Sequence, residues 1–287
     1  MAVQTVLLKN SALAVEISSF GAELQSVKKR GVEYLWNGDP GVWADRAPVL
    51  FPICGSLKGG KYQYQGREYF LGQHGFASKC HFEIEDLSED KAVFLLKSTE
   101  DTKKSYPFDF ELRVCYALVG NAIDVAYLVT NKTDGEMYFS IGAHEGYLCP
   151  EGIEDYTLYF DQRENLLHTQ VCDGLLSRSV RLYGQGVDCL PLKYSYFDED
   201  ALVFLQLKSR SVTLKNESRQ IRVDFEGFDT LLLWTETNKY GKYICIEPWH
   251  GMPDYVDAAY DFPHKPGIHR LGRGERDERR HRITLQN

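Results

Sequence analysis

No stretch of this 287-residue chain holds the roughly 20 consecutive apolar residues that a membrane-spanning helix needs, so no membrane partner is expected. Met1 to Lys9 lacks a basic segment followed by an apolar one, and the expected compartment is therefore the cytoplasm. Basic charge is in deficit. Thirty-three Lys and Arg face 41 Asp and Glu, a formal net charge of -8, which argues against a phosphate-backbone partner. The one basic run, Arg270 to Arg282, is interrupted by Glu275, Asp277 and Glu278 and reads as a solvated terminal strand and turn. C-x-x-C pairs are absent. The seven cysteines (54, 80, 115, 149, 172, 189 and 245) are odd in number and scattered, as reduced thiols would be. Pro/Ser/Gly linkers, low-complexity tracts and internal repeats are missing too, so residues 1–287 are expected to form a single domain.

Long 3.6-residue periodicities are scarce, and period-2 alternation takes their place. Phe108, Phe110, Leu112, Val114, Tyr116 and Leu118 alternate with polar or small residues, Gly120-Asn121 forms a turn, and Ile123, Val125, Tyr127 and Val129 alternate on the way back. That pattern predicts a long β-hairpin. Further strands are expected at Leu13–Ile17, Val93–Lys97, Tyr156–Phe160, Ala201–Leu207, Ser211–Lys215, Gln220–Phe225, Leu231–Thr235 and Tyr243–Glu247. Many short strands at this spacing imply an all-β protein, a large antiparallel β-sandwich or barrel. Eighteen tyrosines and an aromatic content of 13% suit a sheet with a wide, partly polar face.

Strand alternation also sorts side chains by face. In Met137–His144, Phe139, Ile141 and Ala143 point to the core, while Tyr138, Ser140, Gly142 and His144 point the other way. Two small residues beside a histidine leave room for a concave floor with a polar group at its edge; a solvent-facing strand end is the plainer alternative. Ile244 and Ile246 face the core, Tyr243, Cys245 and Glu247 the opposite side, and Pro248 is expected to stop that strand. Gly72-Gln73-His74-Gly75-Phe76-Ala77 reads as a tight loop with close backbone approach. Arg46 precedes the proline-bounded stretch Ala47–Pro52, where its guanidinium could orient hydroxyls or make a surface ion pair.

Taken in order, Phe20-Gly21-Ala22-Glu23-Leu24, Arg46–Pro52, Gln73–Ala77, Ile141-Gly142-Ala143-His144, Asp200-Ala201-Leu202 and Ile246-Glu247-Pro248-Trp249 resemble the aldose 1-epimerase (galactose mutarotase-like) family, and its LacX-like branch in particular. The resemblance spans almost the whole chain. It implies a galactose mutarotase-like supersandwich with an open sugar cleft across one sheet. It further implies Glu247 as general base, His144 as general acid, and His74 and Arg46 as substrate-binding groups. An aspartate on the sugar hydroxyls is also implied; Asp200 fits best, with Asp198 two residues away as the alternative. The sequence departs from the family where Glu145 follows the histidine in place of a common proline. It departs again at Ser78-Lys79, where an arginine often stands.

Interconverting anomers requires one proton to leave the C1 hydroxyl while another reaches the ring oxygen. A carboxylate and an imidazolium perform both transfers, so no cofactor and no metal are expected. The expected partner is a free aldose such as glucose or galactose, and the expected assembly a monomer or weak homodimer. A hexose 6-phosphate epimerase would need a cationic cluster that the sequence does not show. A carbohydrate-binding or sensing domain would not need an acid and a base. Glu247, His250, Asp254 and His264 are close in sequence but lack tight metal-ligand spacing.

Overall fold

In the computed structural model, which describes residues 2–286, strands take up 50% of the chain and helix 8%. The anticipated hairpin is present, with strands Phe110–Val119 and Ala122–Asn131 paired from Val119 opposite Ala122 across the Gly120-Asn121 turn. Its alternation becomes burial: Phe110, Leu112, Val114, Tyr116 and Leu118 are buried, while Glu111, Arg113, Cys115 and Ala117 are only half-buried.

This hairpin sits within a nine-stranded antiparallel sheet. From edge to edge the strands are Val187–Pro191, Thr157–Glu164, Ser211–Lys215, Gln220–Asp224, Arg276–Gln286, Ala122–Asn131, Phe110–Val119, Lys91–Lys97 and Glu83–Leu87. The basic run near the C-terminus is the anticipated strand, and it lies inside the sheet rather than at its edge. Its arginines reach the surface and pair with Asp277, Glu278 and Asp124.

A second sheet carries the site. Strand Tyr243–His250 has Thr230–Trp234 on one side, followed by Leu202–Phe204, Leu167–Cys172 and Leu175–Leu182. On its other side run two short strands, Ile141–Gly142 and Glu145–Leu148. Ile244, Ile246, Leu231 and Leu233 enter the main core against the nine-stranded sheet. The far face is covered as well: Leu50, Cys54, Val203, Leu232 and Trp249 form a second cluster, and Trp36, Tyr243 and Cys245 a third. Burial on both faces explains why Thr230–Trp234 contains three successive leucines rather than a clean alternation. Three leucines removed from water contribute about 1.5–3 kcal/mol each before conformational entropy is charged against them.

Pro248 does not end its strand, which runs on to His250. Its effect falls on the neighbour instead. Proline has no N–H to donate, and the partner chain is split into two strands at Ala143-His144, opposite Pro248 and Glu247.

Candidate active site

Gly142 lies opposite Trp249 and Glu145 opposite Ile246, so the register carried across the gap sets His144 directly opposite Glu247. Opposed residues on antiparallel strands share a face. The side chains accordingly meet, with His144 Nε2 3.2 Å from Glu247 Oε2 and both groups buried. Gly142, on the same face, has no side chain because none would fit: a Cβ there would lie 2.6 Å from Trp249 Cδ1 and 3.0 Å from Cys54 Sγ.

The pair stands in a cleft of about 350 Å³, lined also by Trp43, Asp45, Gln73, His74, Asp200, Trp234 and Trp249. His74 enters from a loop in which it adopts φ +61° and Gly75 φ +74°. Gly75 is obligatory, since a Cβ would lie 2.3 Å from Phe51 O. Gly72 has no such constraint. The His74 amide donates to Gly55 O at 2.9 Å, and the Gly55 amide donates to His74 Nδ1 at 3.1 Å. With Nδ1 occupied as an acceptor, neutral His74 carries its proton on Nε2 and is a donor.

Burial sets the electrostatics of the cleft. His74 is pushed well below the ordinary histidine value by burial, with His144 and Lys79 adding to the effect. Burial also brings His144 down to about 4. The Glu247 carboxyl is pushed well above its usual range, first by burial and then by the charges of Asp200 and Glu145. Burial therefore favours the proton of the His144–Glu247 pair on the carboxyl side, an uncharged arrangement that costs less in a dry site than separated charges. Asp200 is itself raised by burial, while its Oδ1 accepts from the Ala201 amide at 2.7 Å.

Of the five anticipated residues, four line the cleft together: His74, His144, Asp200 and Glu247. Arg46 is not among them. Its guanidinium turns away, Nη1 donating to Gln25 Oε1 at 2.8 Å, while its neighbour Asp45 faces the cavity. Asp198 does not line the cleft either. The segment before it is a short 3-10 helix, Tyr194–Phe197, rather than an extended chain, which separates Asp198 from Asp200 in direction.

The family model for aldose 1-epimerase matches residues 4–276. The chain belongs to the aldose 1-epimerase family. It is 37% identical to protein LacX from Lactococcus lactis subsp. lactis, covering 99% of this chain and 100% of that protein. Among solved structures, a galactose mutarotase related enzyme from Lactobacillus acidophilus superposes with a TM-score of 0.94 at 34% identity, covering 99% of this chain and 98% of that one. A galactose mutarotase-like protein from Lactobacillus casei gives a TM-score of 0.92 at 27% identity, covering 99% and 100%.

For an aldose 1-epimerase fold, the tryptophans are the residues that pattern reading left unassigned. Trp43, Trp234 and Trp249, three of the four in the chain, line the cleft, and among the described residues no tyrosine does. Trp43 lies 5.3 Å from the His144 ring and 5.5 Å from Trp234, forming a wall beside the His144–Glu247 pair. Glu23 is a second omission: its Oε1 accepts from the Arg46 and Ala47 amides at 2.9 Å each, fixing the backbone of the loop that carries Asp45 and Pro48. Glu145, the residue in place of a common family proline, turns to the interior and meets His281 Nε2 at 2.9 Å.

Proposed function

We propose that this member of the family interconverts the α and β anomers of a free aldose by opening and reclosing its ring. The observation that carries this reading is the direct contact between His144 and Glu247 at the floor of a tryptophan-walled cleft. The two oxygens that must exchange protons, O1 and the ring oxygen, are bonded to one carbon. The acid and base that serve them must therefore be neighbours, as these two side chains are. Glu247 takes the C1 hydroxyl proton and His144 delivers one to the ring oxygen. The pair returns to its starting protonation when the ring recloses.

The resting proton on Glu247 has to move for this to happen. A sugar supplies the cause: hydroxyl donors placed on the carboxylate stabilise its ionised form, and the proton passes to His144 across the 3.2 Å contact. His74 Nε2–H, Gln73, Asp45 and Asp200 offer the donors and acceptors that orient the remaining hydroxyls, and the tryptophan faces take the C–H side of the ring. Each well-placed acid or base is worth about 10²–10⁴ in rate, or roughly 3–5 kcal/mol of barrier.

A phosphorylated hexose is the weaker reading. Among the described residues no Lys or Arg lines the cleft, whereas Asp45, Asp200 and Glu247 do. Two phosphate charges would meet acidic groups without a compensating cation. The deciding experiment follows α-glucose and α-galactose to anomeric equilibrium by polarimetry, with wild type and Glu247→Gln. Acceleration by wild type that falls about 10²–10⁴-fold in the variant supports both reaction and base. Acceleration that survives the substitution removes Glu247 from its role. A folded wild type without effect on either sugar refutes the free-aldose reading in favour of a phosphorylated substrate or a binding domain.

A further inference from the structure

Outside the cleft, three side chains from separate segments converge. Asp229 ends the turn before strand Thr230–Trp234, His250 is the last residue of strand Tyr243–His250, and His269 opens strand His269–Leu271. His250 Nδ1 is 2.6 Å and His269 Nε2 3.0 Å from the same oxygen, Asp229 Oδ2. The two imidazoles are stacked, with centroids 3.2 Å apart and planes inclined by 16°. Short as these contacts are, both ring nitrogens are buried without a hydrogen bond of acceptable direction. Both nitrogens come within 3.0 Å of one carboxylate oxygen without a directed hydrogen bond, and the stacked planes have to splay before both lone pairs meet at one ion.

We propose that Asp229 Oδ2, His250 Nδ1 and His269 Nε2 form a two-histidine, one-carboxylate site for a divalent transition cation of the zinc class. All three atoms lie within 4.8 Å of one another, against an edge of about 3.3 Å for tetrahedral bonds of roughly 2.0–2.1 Å. Imidazole with a single carboxylate selects this class over magnesium or calcium, which favour oxygen-only sets. The carboxylate is the exposed member: Asp229 is 51% and His269 27% exposed, whereas the His250 ring and both facing nitrogens are buried. Beyond the ligands, the other ring nitrogen of His250 faces Asp277 Oδ2 at 4.0 Å. The nearby cation, Arg279, is neutralised by Asp277 through Nε at 2.9 Å and Nη2 at 2.5 Å.

The site also touches the fold that carries the chemistry. His250 is three residues beyond Glu247 on one strand and pairs with Ile141, three residues before His144. Asp229 is tied to the same strand by its amide, which donates to Trp249 O at 3.0 Å. A bound cation would clamp the end of the central strand to the strand that opens at His269. It would not enter the cleft.

The test uses the full chain, stripped with chelator and titrated with Zn²⁺ by calorimetry and with Co²⁺ by visible absorption. The parallel proteins are His269→Gln, Asp229→Asn/His269→Gln and His144→Gln. One equivalent is expected to bind to wild type and to His144→Gln alike. The double variant should lose more than about 100-fold in affinity, since losing even an outer partner of a ligand costs about 10–100-fold. Zn²⁺ should also raise the melting temperature of wild type and not that of the double variant. The cobalt spectrum decides independently of whether a variant folds. A site of nitrogen and oxygen ligands lacks thiolate charge transfer, whereas the other convergent group, His144, Cys245 and Glu247, would show it. Absence of stoichiometric binding and of a melting shift overturns the proposal. So does thiolate charge transfer, or binding lost in His144→Gln and retained in the double variant.

Discussion

Replacing His144 by glutamine distinguishes two states of the His144–Glu247 pair that differ only in where one proton sits. In the fold His144 is brought from an ordinary 6.5 to about 4 by burial, so below pH 6.5 the unfolded chain binds a proton at this position that the folded chain refuses. Acidification therefore costs stability. The loss is negligible at pH 8, about 2 kcal/mol at pH 5 and about 3 kcal/mol near pH 4, because each tenfold change in proton affinity is worth roughly 1.4 kcal/mol. Glutamine does not titrate and escapes the penalty. Glu247, raised by burial, has the opposite slope, its contribution present at low pH and lost as pH rises, but it is common to both proteins and leaves the difference between them. The packing cost of the substitution is likewise constant with pH. Urea unfolding followed by tryptophan fluorescence at pH 7.5, 6 and 5 should thus show the variant gaining about 2 kcal/mol on wild type over that range. A variant that loses ground on acidification would refute the reasoning, because it would mean that His144 is already an imidazolium held by the Glu247 carboxylate. A constant difference would mean that burial does not govern His144 at all.

Three further outcomes follow from other contacts. Asp200→Asn removes a charge that helps hold the proton on Glu247, so the limb of the pH–rate profile set by Glu247 should move to lower pH, with a rise in KM measured in the same polarimetric assay. His281→Ala strands Glu145 in the interior without its 2.9 Å partner, and should cost about 3–5 kcal/mol in urea unfolding at pH 7. Gly142→Ala drives a Cβ to within 2.6 Å of Trp249 Cδ1; overpacking of this kind costs about 1–3 kcal/mol. It should lower kcat as well, by displacing the cleft floor beside His144.

Much of the fold was legible because one strand face buried and the other exposed leaves a period of two in the residues themselves. Phe110–Val119 and Ala122–Asn131 show this clearly, down to the turn between them. Legibility failed where a strand is buried on both faces. Leu231, Leu232 and Leu233 look alike, yet two enter the main core and the middle one faces the cleft cluster. Pro248 misled for a related reason: its missing donor is a local property, but which chain loses a hydrogen bond depends on the neighbour, and the neighbour broke instead.

By itself the sequence determined the strand-rich class and the faces on which His144 and Glu247 stand in their segments, because both follow from the alternation of side chains. The meeting of those strands belongs to the tertiary structure alone. Register across a gap placed His144 opposite Glu247 although 102 positions separate them in the chain, and burial then lowered one pKa and raised the other. The same folding turned Arg46 toward Gln25, put Asp45 and three tryptophans in the cleft, and gathered Asp229, His250 and His269 at one point. Residue type fixes what a side chain can do, but proton affinity and partner depend on dielectric surroundings and distance, which exist only once the chain has folded.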